Sequence, residues 1–366
     1  MPLSFDVAVL GGGITGVSAA LAAQLRGAQT CLMRGAPGAT ALASGAWSGP
    51  LRPELRDAFA AAGLELSRTR GALLHERGQR VLAEFAGSTH VGATADAQAL
   101  VCGFAGLPHF NAPTLARLWN REQPLAARTI LLDATPAAGW STASLAAHLE
   151  RSVDSLLPHL NHMSSPRVIF PAVLGIARSH EVVARLAAHG VQAAEALAAA
   201  PSLPGWRLQA ALERVLDAHG VVTIAGRAQL EHSSGRRVES IRVGDQVITA
   251  RAFVLATGKF VAGGLTADEE FREPVFELPI WLEQLGDVFT SPDALSLTDP
   301  VRTAHQPLLH AGVHTDDAQQ PIGRAGEVIY QNVFAAGTVR ASWPVAATPL
   351  GACAEDGWRA GVSASA

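Results

Sequence analysis

The sequence is poor in several residue types, and each scarcity excludes a class of protein. Its 366 residues include three cysteines, Cys31, Cys102 and Cys353, which form no C-x-x-C pair and no zinc or iron–sulfur spacing. Aromatic residues make up 5% of the chain, and the formal net charge is −4. Nucleic-acid binding needs a basic surface, and single-strand binding also needs stacking platforms. We therefore predict no nucleic-acid partner, a reducing cytoplasmic compartment and, since the histidines are not clustered at ligand spacing, no metal site.

Long hydrophobic runs are also missing. Although 48% of the residues are hydrophobic and 16% are charged, no apolar stretch approaches the roughly 20 residues of a transmembrane helix. Nor is there a G-x-S-x-G motif, a Walker loop or a paired His–Glu metal helix, so hydrolysis and phosphoryl transfer are poorly supported. The composition predicts a well-folded globular protein that reaches a membrane only through a partner.

A glycine turn near the start of the chain is the most informative feature present. Residues 5–16 read FDVAVLGGGITG, an apolar β-branched run followed by Gly11, Gly13 and Gly16, and a helical segment of small residues comes next. This is the strand–turn–helix order of the dinucleotide fingerprint G-x-G-x-x-G. The glycines allow the tight turn, the approach of the backbone to a phosphate, and close packing of helix on strand. The free N–H groups at the helix start then hold the anion.

The residue that normally accompanies this fingerprint is missing. At the end of the second predicted strand, AQTCLMR, an Asp or Glu usually binds the adenosine ribose, but this chain has Arg34. A guanidinium only donates hydrogen bonds, although it pairs well with phosphate. Arg34 therefore favours an NADP-type 2′-phosphate, a mononucleotide such as FMN, or an FAD held in an atypical way. An exposed arginine that binds nothing is an equal alternative.

Glycines recur after two later strands and in one loop. VLATGKFVAGGL follows a buried run, NVFAAGT ends another strand, and LASGAWSGPL is a loop rich in glycine and serine. Ligands of open α/β sheets bind beyond the carboxyl ends of the strands, so we predict that these segments line the cofactor. The predicted contacts are Ser44, Gly45, Gly258, Gly263, Gly264, Gly337 and Thr338.

One motif offers a catalytic candidate. FREP, at residues 271–274, places Arg272 beside Glu273 and before Pro274. Arg272 is predicted to recognise an anionic substrate or to stabilise negative charge on a reduced flavin. The alternative is a surface ion pair between the two neighbours, which would contribute little.

These pieces predict an α/β fold: a Rossmann-like FAD/NAD(P)-binding three-layer domain with an inserted α+β cap domain. The binding domain is predicted to be discontinuous, comprising residues 1–90, 205–265 and 325–366. Residues 91–204 and 266–324 then form the cap, which faces substrate or a partner. Leucines among charged positions predict helix over 54–86, and an amphipathic pattern predicts another helix at 207–220.

The motifs resemble those of a known family, the B subunit of the anaerobic glycerol-3-phosphate dehydrogenase. The matching stretches keep the family's order through most of the chain, and VLATGKFVAGGL followed by FREP is the most specific of them. They are FDVAVLGGGITG, LMRG with the downstream Ser44–Gly45, FPAVLGI, PSLPGWRLQAALERVL, VLATGKFVAGGL, FREPVFEL, GVHTDDAQQP and NVFAAGT.

The resemblance implies a cytoplasmic flavoprotein subunit. Its partners would be a larger FAD-containing subunit and an iron–sulfur, membrane-associated subunit. The complex would oxidise sn-glycerol 3-phosphate to dihydroxyacetone phosphate and pass the electrons to quinone. Because the family's B subunit is associated with FMN, the resemblance and Arg34 together slightly favour FMN over FAD as the single flavin.

The C-terminal region departs from the family pattern. Where the family has clustered glycines, this chain has RASWPV, with the bulky Trp343 and Pro344, followed by TPLGACAEDG. The departure motivates a second hypothesis, a flavin-free structural subunit that retains the fold and holds partners together. A third is a free-standing FAD-dependent oxidoreductase that acts on another hydroxy or amino acid.

Overall fold

A computed structural model describes residues 2–94, 99–119, 125–160, 167–267, 271–283, 286–289, 297–301, 306–343 and 350–366. Its helices are α1 Ile14–Leu25, α2 Pro53–Ala61, α3 Ala112–Trp119, α4 Thr142–Ser152, α5 Leu157–Leu160, α6 Ser179–Ala188, α7 Leu203–Ala218, α8 Pro307–His310 and α9 Leu350–Ala364. Within these ranges, no helix is long and apolar enough to cross a membrane.

The strands range from two to ten residues in length. They are β1 Leu3–Leu10, β2 Thr30–Arg34, β3 Ala46–Trp47, β4 Leu66–Arg68, β5 Leu73–Leu74, β6 Arg80–Val81, β7 Phe85–Gly87, β8 Leu100–Phe104, β9 Ala126–Ile130, β10 Arg167–Phe170, β11 Gln192–Glu195, β12 Val222–Ala225, β13 Ala228–Ser234, β14 Arg237–Val243, β15 Gln246–Leu255, β16 Thr266–Ala267, β17 Phe271–Glu273, β18 Leu278–Leu282, β19 Asp287–Phe289, β20 Gly312–Val313 and β21 Val333–Ala335.

The chain divides into two compact units. The nucleotide unit, as we name it, comprises residues 1–40, 50–62 and 209–366, and the inserted unit comprises 41–49 and 63–208. This division differs from the predicted boundaries. Residues 266–324, which were predicted to belong to the cap, belong to the nucleotide unit. Residues 41–49 and 63–90, which were predicted to belong to the binding domain, belong to the inserted unit.

The nucleotide unit is built on a seven-stranded sheet in the order β12-β2-β1-β15-β14-β13, in which β21 also pairs with β15. Strands β12, β2, β1, β15 and β21 run parallel, while β13 and β14 are antiparallel. The second half of β1, VAVL, is wholly buried. A parallel strand covered on both faces needs such a continuous apolar run, which explains why the sequence marks β1 so clearly.

Helices α1 and α9 pack closely together in this unit. A Cβ added at Gly357 would lie 2.0 Å from the carbonyl oxygen of Thr15, and one added at Gly361 would lie 2.1 Å from that of Ala19. The backbone of α9 therefore approaches α1 at positions where only glycine fits. This pair of helices forms the helical layer of the predicted three-layer domain, and the seven-stranded sheet forms the next layer.

The opposite layer explains why residues 266–324 belong to the nucleotide unit. Strands β16–β20 form an antiparallel sheet whose apolar side chains join those of the first sheet in one core. Phe253 of β15, for example, meets Phe276 edge-on with ring centroids 6.1 Å apart. Separating this segment as a cap would expose that core to water, at a cost that grows with the apolar area.

The inserted unit has its own core around a four-stranded sheet in the order β11-β10-β8-β9. All three pairings are parallel, so the unit is α/β at its centre, while its small sheets β3-β7-β4 and β5-β6 are antiparallel. Residues 54–86 are helical only over α2, Pro53–Ala61, and continue into the small antiparallel strands β4–β7. The predicted long helix is therefore wrong, since Leu73 and Leu74 are the buried residues of strand β5.

Candidate functional site

The glycine turn after β1 is fixed by the strands on either side of it. The N–H of Gly11 donates to the carbonyl oxygen of Met33 at the end of β2, at 2.8 Å. Gly11 has φ +122°, and a Cβ added there would lie 2.2 Å from the carbonyl oxygen of Ala256, just after β15. The ends of β1, β2 and β15 thus converge on a turn that admits no side chain.

Helix α1 begins directly after this turn. Its N-cap is Gly13, and its first turn carries no acidic residue. The N–H of Ile14 donates to the hydroxyl of Thr40 at 3.0 Å, and a Cβ added at Gly16 would lie 1.8 Å from the carbonyl oxygen of Gly11. An N-terminus without a competing carboxylate suits the binding of a phosphate.

The loop after β15 doubles back on itself beside the turn. The N–H of Gly264 donates to the carbonyl oxygen of Lys259 at 2.6 Å, and a Cβ added at Gly264 would lie 2.1 Å from the carbonyl oxygen of Gly258. The hydroxyl oxygen of Thr257 is buried and has no hydrogen-bond partner in the described part of the chain. Buried polar groups are normally paired, so this orphan fits the presence of a bound group.

The third glycine segment follows β21. Gly337 has φ +72°, and its N–H donates to a carboxylate oxygen of Asp356 at 2.7 Å. A Cβ added at Gly337 would lie 2.4 Å from the hydroxyl of Thr15 in α1, and one added at Gly258 would lie 3.6 Å from the hydroxyl of Thr338. The structure therefore brings together most of the residues predicted as cofactor contacts. They are Gly11, Gly13, Gly16, Gly258, Gly263, Gly264, Gly337 and Thr338.

Asp356 belongs to this site but was not among the residues predicted from the sequence. It lies on α9 with 6% of its surface exposed and accepts hydrogen bonds from Gln319 at 3.0 Å and Arg340 at 2.7 Å, as well as from Gly337. The carboxylate thus ties α9 and two loops to the end of β21. No periodic pattern marks an isolated aspartate in a small-residue helix, which is why the sequence did not reveal it.

Arg34 lies where it was predicted, at the end of β2, but it is paired. Its guanidinium donates to the carboxylate of Glu213 on α7. The stem of Arg34 lies against the turn, because a Cβ added at Gly12 would lie 2.9 Å from the Cβ of Arg34. An arginine already bound to a carboxylate is less suited to holding a terminal phosphate than the sequence alone implies.

Arg272 and Glu273 do not form the surface ion pair that was considered as an alternative. They alternate on β17, so Arg272 is exposed while Glu273 is fully buried. The carboxylate of Glu273 accepts the N–H groups of Val275 and Phe276, each at 2.8 Å. Burial raises the pKa of Glu273 to about 7. Glu273 caps its own turn, and the catalytic role of Arg272 stays a prediction.

Two cations beside the glycine loops were not selected from the sequence. Lys259, the only lysine of the chain, is 9% exposed, and its ammonium donates to the carbonyl oxygen of Leu309. Burial lowers its pKa to about 8. The guanidinium of Arg227 lies over the same loop, with Nη2 3.2 Å from where a Cβ at Gly263 would be. Both place positive charge near the predicted flavin contacts.

Ser44 and Gly45 belong to the inserted unit. The carbonyl oxygen of Ser44 accepts the N–H of Ala198 at 3.1 Å. A Cβ added at Gly45, which has φ +102°, would lie 2.6 Å from Nε2 of His90. Their role as cofactor contacts stays a prediction.

Of the two bulky residues at the C-terminal departure, Trp343 is described and Pro344 lies outside the described residues. Trp343 is 8% exposed, and its indole N–H has no hydrogen-bond partner among the residues that the structure describes. In the same ranges, no group of three or more His, Cys, Asp or Glu side chains is arranged to hold a metal ion.

Comparison with known proteins defines the class. The sequence matches the family described as "FAD binding domain" over residues 6–103 and 120–354. The chain therefore belongs to the FAD binding domain family, and its Rossmann-like α/β fold is that of a flavoprotein. The family description supports FAD as the flavin and gives no support to the predicted preference for FMN.

Individual relatives narrow the class further. The chain is 29% identical over 429 residues to the B subunit of a probable anaerobic glycerol-3-phosphate dehydrogenase of Halobacterium salinarum, a match that covers 100% of this chain and 99% of that protein. It is 32% identical over 178 residues to the B subunit of the Actinobacillus pleuropneumoniae enzyme, covering 47% of this chain and 40% of that protein. The resemblance seen in the motifs is thus confirmed.

Solved flavoenzyme structures are more distant. The match to the 3-ketosteroid delta1-dehydrogenase of Sterolibacterium denitrificans covers 99% of this chain and 100% of the dehydrogenase chain. The sequence identity is 11% and the TM-score is 0.42. A likeness this weak says nothing about the site.

Proposed function

We propose that this chain is the FAD-binding B subunit of a quinone-linked glycerol-3-phosphate dehydrogenase. In this proposal it oxidises sn-glycerol 3-phosphate to dihydroxyacetone phosphate and works only within a complex. Its partners are a larger FAD-containing subunit and an iron–sulfur subunit associated with the membrane. The observation that carries the proposal is the convergence of three glycine segments on one edge of the sheet, in a chain that aligns over its full length with a B subunit of such an enzyme.

The residues present fit a flavin nucleotide. The N-terminus of α1, without an acid in its first turn, suits the pyrophosphate. Gly258, Gly264 and Gly337 let these backbone segments approach one another closely beside the turn, and the unpaired hydroxyl of Thr257 would offer a bound flavin a hydrogen bond. A flavin bound there supplies the two-electron acceptor for oxidation of an alcohol carbon.

The protein would contribute positive charge for an anionic substrate. Arg272 is exposed on β17 and pairs across the sheet with Thr266, which closely follows the Gly263–Gly264 loop. Lys259 is the second cation near that loop, and its lowered pKa of about 8 allows it to bind or release a proton near neutral pH. We propose Arg272 as the contact for the substrate phosphate and Lys259 as a group that stabilises developing negative charge.

Reconstitution tests this function. The chain would be co-expressed with its two partner subunits, and reduction of a soluble quinone analogue by sn-glycerol 3-phosphate would be followed. We expect activity with the complete complex, and a Gly13→Val substitution in this chain should abolish it. A complex whose activity is the same with Gly13→Val as with the unaltered chain would contradict the proposal.

A flavin-free structural subunit is the second candidate, and two observations favour it. The N–H of Gly337 is already bound by Asp356, and the bulky Trp343 is buried just beyond that segment. Purification separates the two candidates: a colourless chain that still co-purifies with a flavoprotein partner would support the structural role.

A further inference from the structure

The end of β2 lacks the acid that normally binds the ribose of an adenine dinucleotide, yet a carboxylate is present there. Arg34 occupies the strand end, and its guanidinium is bound to Glu213, which reaches the same place from α7. The side chain of Glu213 remains 42% exposed, so a ligand has access to it. The acid therefore comes from a helix instead of from the strand.

The stem of Arg34 connects this carboxylate to the glycine turn. A Cβ added at Gly12 would lie 2.9 Å from the Cβ and 3.3 Å from the Cδ of Arg34. The arginine therefore runs along the middle of the glycine turn before it reaches Glu213. Through this contact Arg34 connects Glu213 to the glycine turn that is proposed to receive the phosphates, which is the side on which a ribose-binding acid is needed.

A second residue on α7 points to a ligand independently. Gln209 precedes Glu213 by four residues, so the two lie on one face of the helix. The amide nitrogen of Gln209 donates to the carbonyl oxygen of Gly12 at 3.0 Å, and only 7% of the residue is exposed. The side-chain oxygen of Gln209, Oε1, is buried and has no hydrogen-bond partner among the described residues. A buried acceptor is seldom left unpaired, so a ligand hydroxyl that reached Oε1 would complete its hydrogen bonding.

We propose that α7 supplies the ribose-binding acceptors for the adenosine end of FAD. Glu213 accepts hydrogen bonds from the ribose hydroxyls, and Gln209 adds an acceptor beside Gly12. A carboxylate offers about four acceptor positions. One oxygen of Glu213 can therefore accept the hydrogen bond from Arg34 while the remaining positions accept hydrogen bonds from the ribose hydroxyls. Arg34 is then a positioning residue. This inference rests on the proposed binding of FAD by the nucleotide unit.

The same arrangement determines which nucleotide is accepted. A 2′-phosphate on the ribose would meet the negative charge of Glu213 directly, which disfavours an NADP-type ligand. FMN has no adenosine, so Glu213 contributes nothing to its binding. The site should therefore discriminate in favour of FAD.

Titration of flavin-depleted protein tests the inference. FAD and FMN would each be titrated against the unaltered chain, Glu213→Gln and Asp217→Asn, with quenching of flavin fluorescence as the readout. Asp217 is an exposed acid one turn further along α7 and serves as the matched control. Glu213→Gln should weaken the binding of FAD by about tenfold to a hundredfold, because hydrogen bonds to a charged acceptor are lost. FMN binding to all three proteins should be equal, and Asp217→Asn should leave FAD binding unchanged.

A ligand analogue removes any dependence on how the variant folds. An FAD whose adenosine ribose lacks the 2′-hydroxyl should bind the unaltered chain several-fold more weakly than FAD, and this difference should be smaller for Glu213→Gln, whose neutral oxygen is a weaker acceptor. Equal affinity of Glu213→Gln and the unaltered chain for FAD would overturn the role of α7 alone. An unaltered chain that binds no FAD would overturn the proposed function together with it.

Discussion

Arg207 and Glu195 form a two-pronged ion pair in the core of the inserted unit. Nη1 and Nη2 of Arg207 lie 2.6 and 3.0 Å from the two carboxylate oxygens of Glu195, which is fully buried. The same carboxylate accepts the N–H of Leu174 and the hydroxyl of Thr89. The backbone oxygen of Glu195 also contacts Nδ1 of His90 at 2.9 Å. The pair thus links the first turns of α7 to β11 and to the turn that carries Thr89 and His90.

Arg207→Met should destabilise the inserted unit strongly. The variant leaves the Glu195 carboxylate buried without its partner, and loss of one member of a buried pair costs about 3–5 kcal/mol. Urea unfolding of the purified chain measures the free-energy change. Arg185→Met is the matched control, because the Arg185–Asp154 pair is exposed and should contribute little. Equal effects of the two substitutions would contradict the structural role of the buried pair.

Stability should fall in acid through Glu195. Burial alone raises the pKa of this carboxyl, but the charge and hydrogen bonds of Arg207 outweigh it and lower the pKa to about 2. A carboxyl whose folded pKa is lowered stabilises the fold above its unfolded pKa of 4.5 and loses that contribution as the pH falls towards 2. Urea midpoints measured from pH 6 to pH 3 should therefore decline, and the decline should be smaller in Arg207→Met. A decline of equal size in both proteins would assign the acid sensitivity to other groups.

Lys259 should titrate well below an ordinary lysine. Burial lowers its pKa from 10.5 to about 8, and because the chain has no other lysine, protein made with 13C-labelled lysine gives a single side-chain signal in NMR. We expect that signal to shift with a midpoint near pH 8. A midpoint near 10.5 would mean that the ammonium is solvated.

Gly13→Val should abolish flavin binding while most of the fold survives. A Cβ at this position lies 3.0 Å from the hydroxyl of Thr40, and the larger valine projects into the space beside the helix N-terminus where a phosphate would sit. Flavin content and circular dichroism would be measured together. Thr40→Val is the control for a lost helix cap, because it removes the bond to Ile14 at a cost of about 1 kcal/mol and should retain flavin. Normal flavin content in Gly13→Val would remove the glycine turn from the site.

The sequence predicts the parallel core of the nucleotide unit well, because β1 and β15 each end in a buried apolar run, VAVL and AFVL, that is closely followed by glycine. It also locates α7, whose apolar face is regular, to within a few residues. The short strands β4–β7 are missed because two or three residues show no period. The layer β16–β20 is assigned to the wrong unit because chain order does not show which core its side chains join.

The residues of the candidate site also divide into those that the sequence reveals and those that only the fold reveals. Glycines that allow close backbone approach are visible in the sequence, since nothing else suits those positions. The sequence does not reveal the roles of three other residues, Glu213, Gln209 and Asp356. Each of them acts through a contact with a residue that is distant in the chain. Arg34 shows the consequence: from the sequence it is a guanidinium without a carboxylate, and only the fold brings Glu213 to it.

The identity of the bound cofactor tests the central claim most directly. The chain would be purified without added flavin, its visible absorbance recorded, and the cofactor released by mild denaturation and identified by chromatography. We predict the visible bands of an oxidised flavin and a single peak of FAD, in near-stoichiometric amount. A colourless protein that also fails to take up added FAD, or a released peak of FMN, would contradict the account.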